Sequence, residues 1–84
     1  MIEFIDMKKL MTDIKTEYGK QLKEARLALG LSPEQVAVEL GVTASTINHN
    51  ESGRSFTKGL QEFYEIKLKE NNITLDKTNN KYFI

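Results

Sequence analysis

The sequence predicts an all-α domain, a compact bundle of four to five short helices, on three observations. Apolar residues recur at steps of three and four. Ser and Thr stand at well-defined helix starts, and glycines stand at the matching stops. Cysteine is absent from the 84 residues, and 39% are apolar, which suits one small domain. A disulfide framework and thiolate metal sites are thereby excluded.

The first helical stretch runs from Met7 to Leu29, where Met7, Met11, Ile14, Tyr18, Leu22, Ala25 and Leu29 fall on one stripe. Gly19 lies inside it and costs about 1 kcal/mol in a helix interior. The stretch is therefore read either as one weakened helix or as a short helix followed by the helix proper. Gly30 suits the left-handed position after a helix end. Ser32 then offers a cap, Pro33 suits the first helical position, and Gln35 stands where a capping-box partner belongs. Val36, Ala37 and Leu40 make the inward stripe of this second helix, and Gly41 ends it. Thr43 caps a third helix anchored by Ile47 and ending near Glu51-Ser52-Gly53. Thr57 is expected to cap a last helix holding Leu60, Phe63, Tyr64 and Leu68, which stops around Asn71-Asn72. The runs Ile73-Thr74-Leu75 and Lys81-Tyr82-Phe83-Ile84 flank a polar turn, so the tail reads as a small β-hairpin or as a frayed end.

Two short helices joined by Gly41-Val42-Thr43 form a helix-turn-helix arrangement. The first braces the second through Val36, Ala37 and Leu40. The second needs one apolar anchor, which leaves Ala44, Ser45, Asn48 and His49 free. These are small or polar side chains suited to base edges in a major groove about 12 Å wide.

Charge complicates this reading. Acids and bases balance at 12 each, whereas phosphate neutralisation normally carries much of DNA affinity. Residues 32–53 hold three acids (Glu34, Glu39, Glu51) and no Lys or Arg, while residues 54–84 hold six bases and four acids. A phosphate grip must come from the flanks of the bihelix. Lys15, Lys20, Lys23 and Lys58 are candidates, with plain solvated lysines as the alternative.

The segments Leu22-Lys23-Glu24-Ala25-Arg26, Gly30-Leu31-Ser32, Val36-Ala37, Leu40-Gly41-Val42-Thr43, Thr46-Ile47 and Glu51-Ser52-Gly53 together resemble the Cro and lambda-repressor-like helix-turn-helix family. The likeness covers Tyr18 to Leu68. It implies a lambda-repressor-like domain over residues 18–71, with an N-terminal helical extension at 1–17 and a tail or hairpin at 72–84. It implies base contacts from Ala44, Ser45, Asn48 and His49, and phosphate contacts from Ser32, Thr43, Ser52 and Arg54. Helix N-termini with free N–H groups can hold phosphate without a cation. It also implies a structural ion pair between Arg26 and Glu51.

Three positions depart from the family pattern. Pro33 replaces a frequent Gln, Asn50 replaces a large apolar or aromatic residue, and the loop at 54–57 lacks its usual Pro.

The function implied is a sequence-specific, dimeric DNA-binding repressor of phage, plasmid or mobile-element type, reading a double-stranded operator. The alternative is a protein-interaction module, antitoxin-like, on the same fold. The zero net charge supports it, as do the apolar residues Phe4, Met7 and Met11 at one end and Tyr82, Phe83 and Ile84 at the other. No enzymatic constellation is present: His49 is the sole histidine, and no orienting acid accompanies it and Ser45. No cofactor or metal is expected. No basic leader or apolar run of membrane-spanning length is present, so the expected location is the cytoplasm.

Overall fold

The computed structural model describes residues 7–74. Four helices follow one another, α1 (Met7–Ala28), α2 (Pro33–Leu40), α3 (Ala44–Glu51) and α4 (Leu60–Glu70), and no strand occurs among the described residues. α3 packs on both α1 and α2, and α4 packs on α1. The core they enclose consists of Leu22, Ala25, Val36, Ala37, Ile47, Leu60, Tyr64 and Leu68.

α1 is a single helix that runs unbroken through Gly19. Its apolar stripe packs into the core from Tyr18 to Leu29, whereas Ile14, expected on the same stripe, is 46% exposed. The glycine has a tertiary cause. A Cβ at Gly19 would collide with the backbone oxygens of Glu51 and Asn50, the latter at 2.8 Å. Gly53 makes the reciprocal approach: at φ 79° it lies against the Lys15 backbone, where a Cβ would sit 3.0 Å from the carbonyl oxygen. Two glycines thus allow the C-terminal end of α3 to reach the α1 backbone, closer than any side chain permits.

The expected caps of α2 and α3 are present. Ser32 Oγ accepts from Gln35 N (3.2 Å), and Ser32 N donates to Gln35 Oε1 (2.8 Å), a closed capping box with Pro33 at the first position. The helix ends at left-handed Gly41, where Val42 N donates back to Ala37 O (3.0 Å). Thr43, extended at φ −92° and ψ 157°, opens α3 by accepting from Thr46 N.

The start of α4 differs from the expectation. Its cap is Gly59, at φ 89° and without a side-chain bond, and not Thr57. The reason is that the Thr57 hydroxyl and amide are both engaged by Asn50. Asn71 and Asn72 end the helix as expected. Asn72 is left-handed at φ 56°, Asn72 N donates to Lys69 O, and Ile73 N donates to Leu68 O (2.9 Å). This is a Schellman ending in which Ile73 folds back onto the core. Ile73 and Thr74, read as the start of a hairpin, are not in a strand, and the remainder of that hairpin lies outside the described residues. On the surface, Lys67 lies 3.8 Å from Glu39 and over the Phe63 ring at 5.8 Å. Such an exposed pair contributes at most about 1 kcal/mol.

Candidate nucleic-acid interface

α3 has two opposed faces, and its sequence dictates both. Ile47 and Asn50 turn inward, at 0% and 2% exposure. Ala44, Ser45, Asn48 and His49 follow a spacing of one, three and one, which places them together on the opposite face. Ser45, Asn48 and His49 are exposed and Ala44 is half-buried. The four expected base-contact residues therefore form one outward strip. Its chemistry is donor and acceptor groups without formal charge, bordered by a methyl group.

The inward side is fixed by a charge pair. Arg26 Nε donates to Glu51 Oε2 (2.8 Å) and Arg26 Nη2 to Glu51 Oε1 (3.0 Å), a bidentate fork, while Nη1 donates to Leu31 O (3.0 Å). The side chains are only 9% and 8% exposed. The hydrogen bonds that Arg26 donates to Glu51, against an opposing desolvation, raise its pKa above the ordinary arginine value. One guanidinium thus joins α1, the 29–32 connection and the end of α3, and its planar fork sets the angle at which α3 is presented.

The expected phosphate contacts are not equivalent. Ser32 Oγ and Thr43 Oγ1 act as acceptors within their caps, so each keeps a hydroxyl proton, although Thr43 shares a 3.0 Å contact with Thr46 Oγ1. Ser52 is already committed. Its hydroxyl donates to His49 O (3.1 Å) and its amide to Asn48 O (3.0 Å). A phosphate at Ser52 has to exchange that bond. Arg54 is exposed, has no carboxylate partner among the described residues, and is anchored by its own amide to His49 O (2.8 Å).

Two features escaped the sequence reading. The first is a cleft of about 260 Å³ between α1 and the α3–α4 loop, lined by Lys15, Tyr18, Asn50, Gly53, Arg54, Ser55 and Phe56. It brings two bases, Lys15 and Arg54, to one opening beside the tilted Tyr18–Phe56 ring pair, whose centroids are 6.2 Å apart. Lys15 and Arg54 are 39 positions apart in the chain, and no local pattern joins them. The second is Asn50, seen in the sequence only as a departure. It is a fully engaged polar group inside the domain.

A family model described as a helix-turn-helix domain matches residues 17–59, just over half of the 84-residue chain. The chain belongs to the helix-turn-helix domain family. No curated protein and no solved structure matches it. The matched span includes the whole of α2 and α3, the Arg26–Glu51 pair and the loop to Gly59, so the match and the geometry mark the same part of the molecule. A helix-turn-helix domain of this kind is a DNA-binding unit. Among the described residues, no three His, Asp or Glu side chains cluster to hold a metal ion. None of the described helices is long and apolar enough to cross a membrane.

Proposed function

We propose that this helix-turn-helix protein is a sequence-specific transcriptional regulator, a dimeric repressor of phage, plasmid or mobile-element type acting in the cytoplasm. α3 enters the major groove, with Ala44, Ser45, Asn48 and His49 at base edges. Ser32, Thr43, Arg54 and a reoriented Ser52 hold the backbone on either side. The observation that carries this reading is the two-sidedness of α3. One face is fixed by Ile47, Asn50 and the Arg26–Glu51 fork, and the other is exposed, polar and uncharged. A helix held this firmly, with a free hydrogen-bonding face, suits rigid presentation to base pairs.

A gel-shift or anisotropy titration against DNA from upstream of the gene, over a salt series, tests it. The expected result is preferential binding whose log affinity falls linearly with log salt, at a shallow slope because few cations flank α3. Absence of binding even at low salt overturns the reading. The second reading, a module that binds chiefly another protein, draws support from Val38 and Phe56, which are 81% and 73% exposed.

A further inference from the structure

Asn50 is the one fully buried polar side chain of α3, and it ties two parts of the chain together. Nδ2 donates to Thr46 O one turn back (2.7 Å) and to Thr57 Oγ1 (2.8 Å). Oδ1 accepts from Thr57 N (2.8 Å), and Ser55 Oγ lies 3.5 Å from Nδ2. Both amide donors and the amide oxygen are therefore occupied. The loop is also held at its start, where Gly53 N donates to Asn50 O (3.2 Å) and Arg54 N to His49 O (2.8 Å). Asn50 supplies the second anchor, at Thr57. Arg54 and Ser55 belong to the first anchor through their amides on His49 O (2.8 and 3.3 Å), Phe56 leads from it to the second, and all three are exposed.

An apolar side chain at position 50 could fill the same space, but it could not bond to Thr57. The loop would then keep its first anchor and lose its second. No proline stands between Gly53 and Gly59 to stiffen it instead. The consequence is functional because cations are scarce here. α2 and α3 contain no Lys or Arg, so Arg54 is the base nearest in sequence to the C-terminal end of the reading helix. Holding such a loop in advance lowers the ordering cost of a phosphate contact.

We infer that Asn50 is a positioning residue: it fixes the 53–57 loop to α3, so that Arg54 meets the phosphate flanking the base pairs that α3 reads. The inference rests on the DNA-binding reading above. It makes the backbone grip and the base-reading helix one rigid unit, closed at Thr57 by a single side-chain amide.

The test uses the full chain with Asn50→Leu, Arg54→Ala and the double variant, measured by amide hydrogen exchange and by DNA affinity over a salt series. Thr57→Val serves as a second variant outside the core, which removes the hydroxyl acceptor and leaves Asn50 in place. For Asn50→Leu we expect Thr57 amide exchange to accelerate at least about tenfold, since its bond to Oδ1 is lost. Affinity falls about tenfold, and the log–log salt slope becomes shallower by about 1, as for a lost phosphate contact. The ranking of base sequences is unchanged. Adding Arg54→Ala to Asn50→Leu costs little more, because both changes remove the same contact. Thr57→Val gives a smaller change in the same direction.

An unchanged salt slope for both Asn50→Leu and Thr57→Val overturns the inference, as does full additivity with Arg54→Ala; either result makes Asn50 a packing residue only. Wild-type protein that binds no DNA at low salt overturns the DNA-binding reading itself. The two failures are distinct, since the first requires wild-type protein that binds with a normal salt slope.

Discussion

The two faces of α3 are built on opposite principles. The face toward α1 is specified several times over. Gly19 and Gly53 allow backbone-to-backbone approach, Ile47 is fully buried, Asn50 ties down the loop, and Arg26 grips Glu51 with two hydrogen bonds. On the outward face, Ser45, Asn48 and His49 are exposed and Ala44 is half-buried. Orientation is thus fixed by one set of residues, and the recognition proposed above falls to another, the four positions of the outward strip. Stability and DNA preference should therefore separate cleanly by face.

The largest expected effect comes from breaking the ion pair from one side. Glu51→Ala leaves the Arg26 guanidinium nearly buried with only Leu31 O as a partner. Removing one member of a buried pair costs about 3–5 kcal/mol, and the remaining hydrogen bond places this site toward the lower end. Urea denaturation of Glu51→Ala should show the loss. The double change Arg26→Met with Glu51→Leu should be less destabilising than Glu51→Ala alone, because no buried charge remains. A Glu51→Ala protein as stable as wild type would mean that the fork adds nothing to the locked face.

Next in size is Gly19→Ala. Helix propensity alone predicts a gain of about 1 kcal/mol. The added Cβ, however, meets the backbone of Glu51 and Asn50, which cannot rotate away as a side chain can. Overpacking of this kind costs about 1–3 kcal/mol, so a net loss is expected. The same denaturation experiment gives the sign, and a rise in stability would show that the seam between α1 and α3 yields to admit a methyl group.

The outward face should respond in the opposite manner. Ser45→Ala and His49→Ala are expected to change stability by less than about 0.5 kcal/mol, yet to cost about 1–3 kcal/mol in binding at a matching site and to relax base preference there. Thermal melts and titrations against single-base operator variants separate the two effects. Equal loss of affinity on every DNA sequence would reassign these side chains to backbone contact.

What could be read from the sequence divides along the same line. α2 and α3 were legible because local chemistry specifies them: Ser32 and Gln35 close a capping box, Gly41 turns left-handed, and Thr43 caps. The outward strip on α3 was legible because periodicity alone assigns faces. The single helix through Gly19 was one of the two readings, but the need for glycine there was not legible, because its partner, the end of α3, is 31 positions away in sequence from Gly19 to Asn50. Thr57 resembled an N-cap, and nothing local reveals that Asn50 takes its hydroxyl and amide. The cleft that joins Lys15 to Arg54 was invisible for the same reason. Nonlocal hydrogen bonds and backbone approaches leave a composition mark, an odd Gly or Asn, without an address.

The smallest effect concerns a polar group with no evident task on the locked side. Tyr64 is fully buried, and its hydroxyl has no hydrogen-bond partner among the described residues. Burial, with the nearby Glu51 carboxylate adding to it and Arg26 partly opposing, drives its pKa well above the ordinary 10.0. Because the folded state holds this proton more tightly than the unfolded chain, the associated stability is present below pH 10.0 and is lost as pH rises beyond it. Tyr64→Phe keeps the ring, its edge contact with Phe63 at 5.6 Å, and the core volume. At neutral pH it should be neutral, or stabilising by up to about 1 kcal/mol, since an unpaired buried hydroxyl is removed. Above pH 10 the variant should lose stability less steeply than wild type. Some alkaline sensitivity should remain through Tyr18, whose pKa is raised by burial and then by Glu65. Denaturation midpoints from pH 7 to 11 measure both arms. A clear loss at neutral pH would show that the hydroxyl makes a stabilising bond on the locked side of α3.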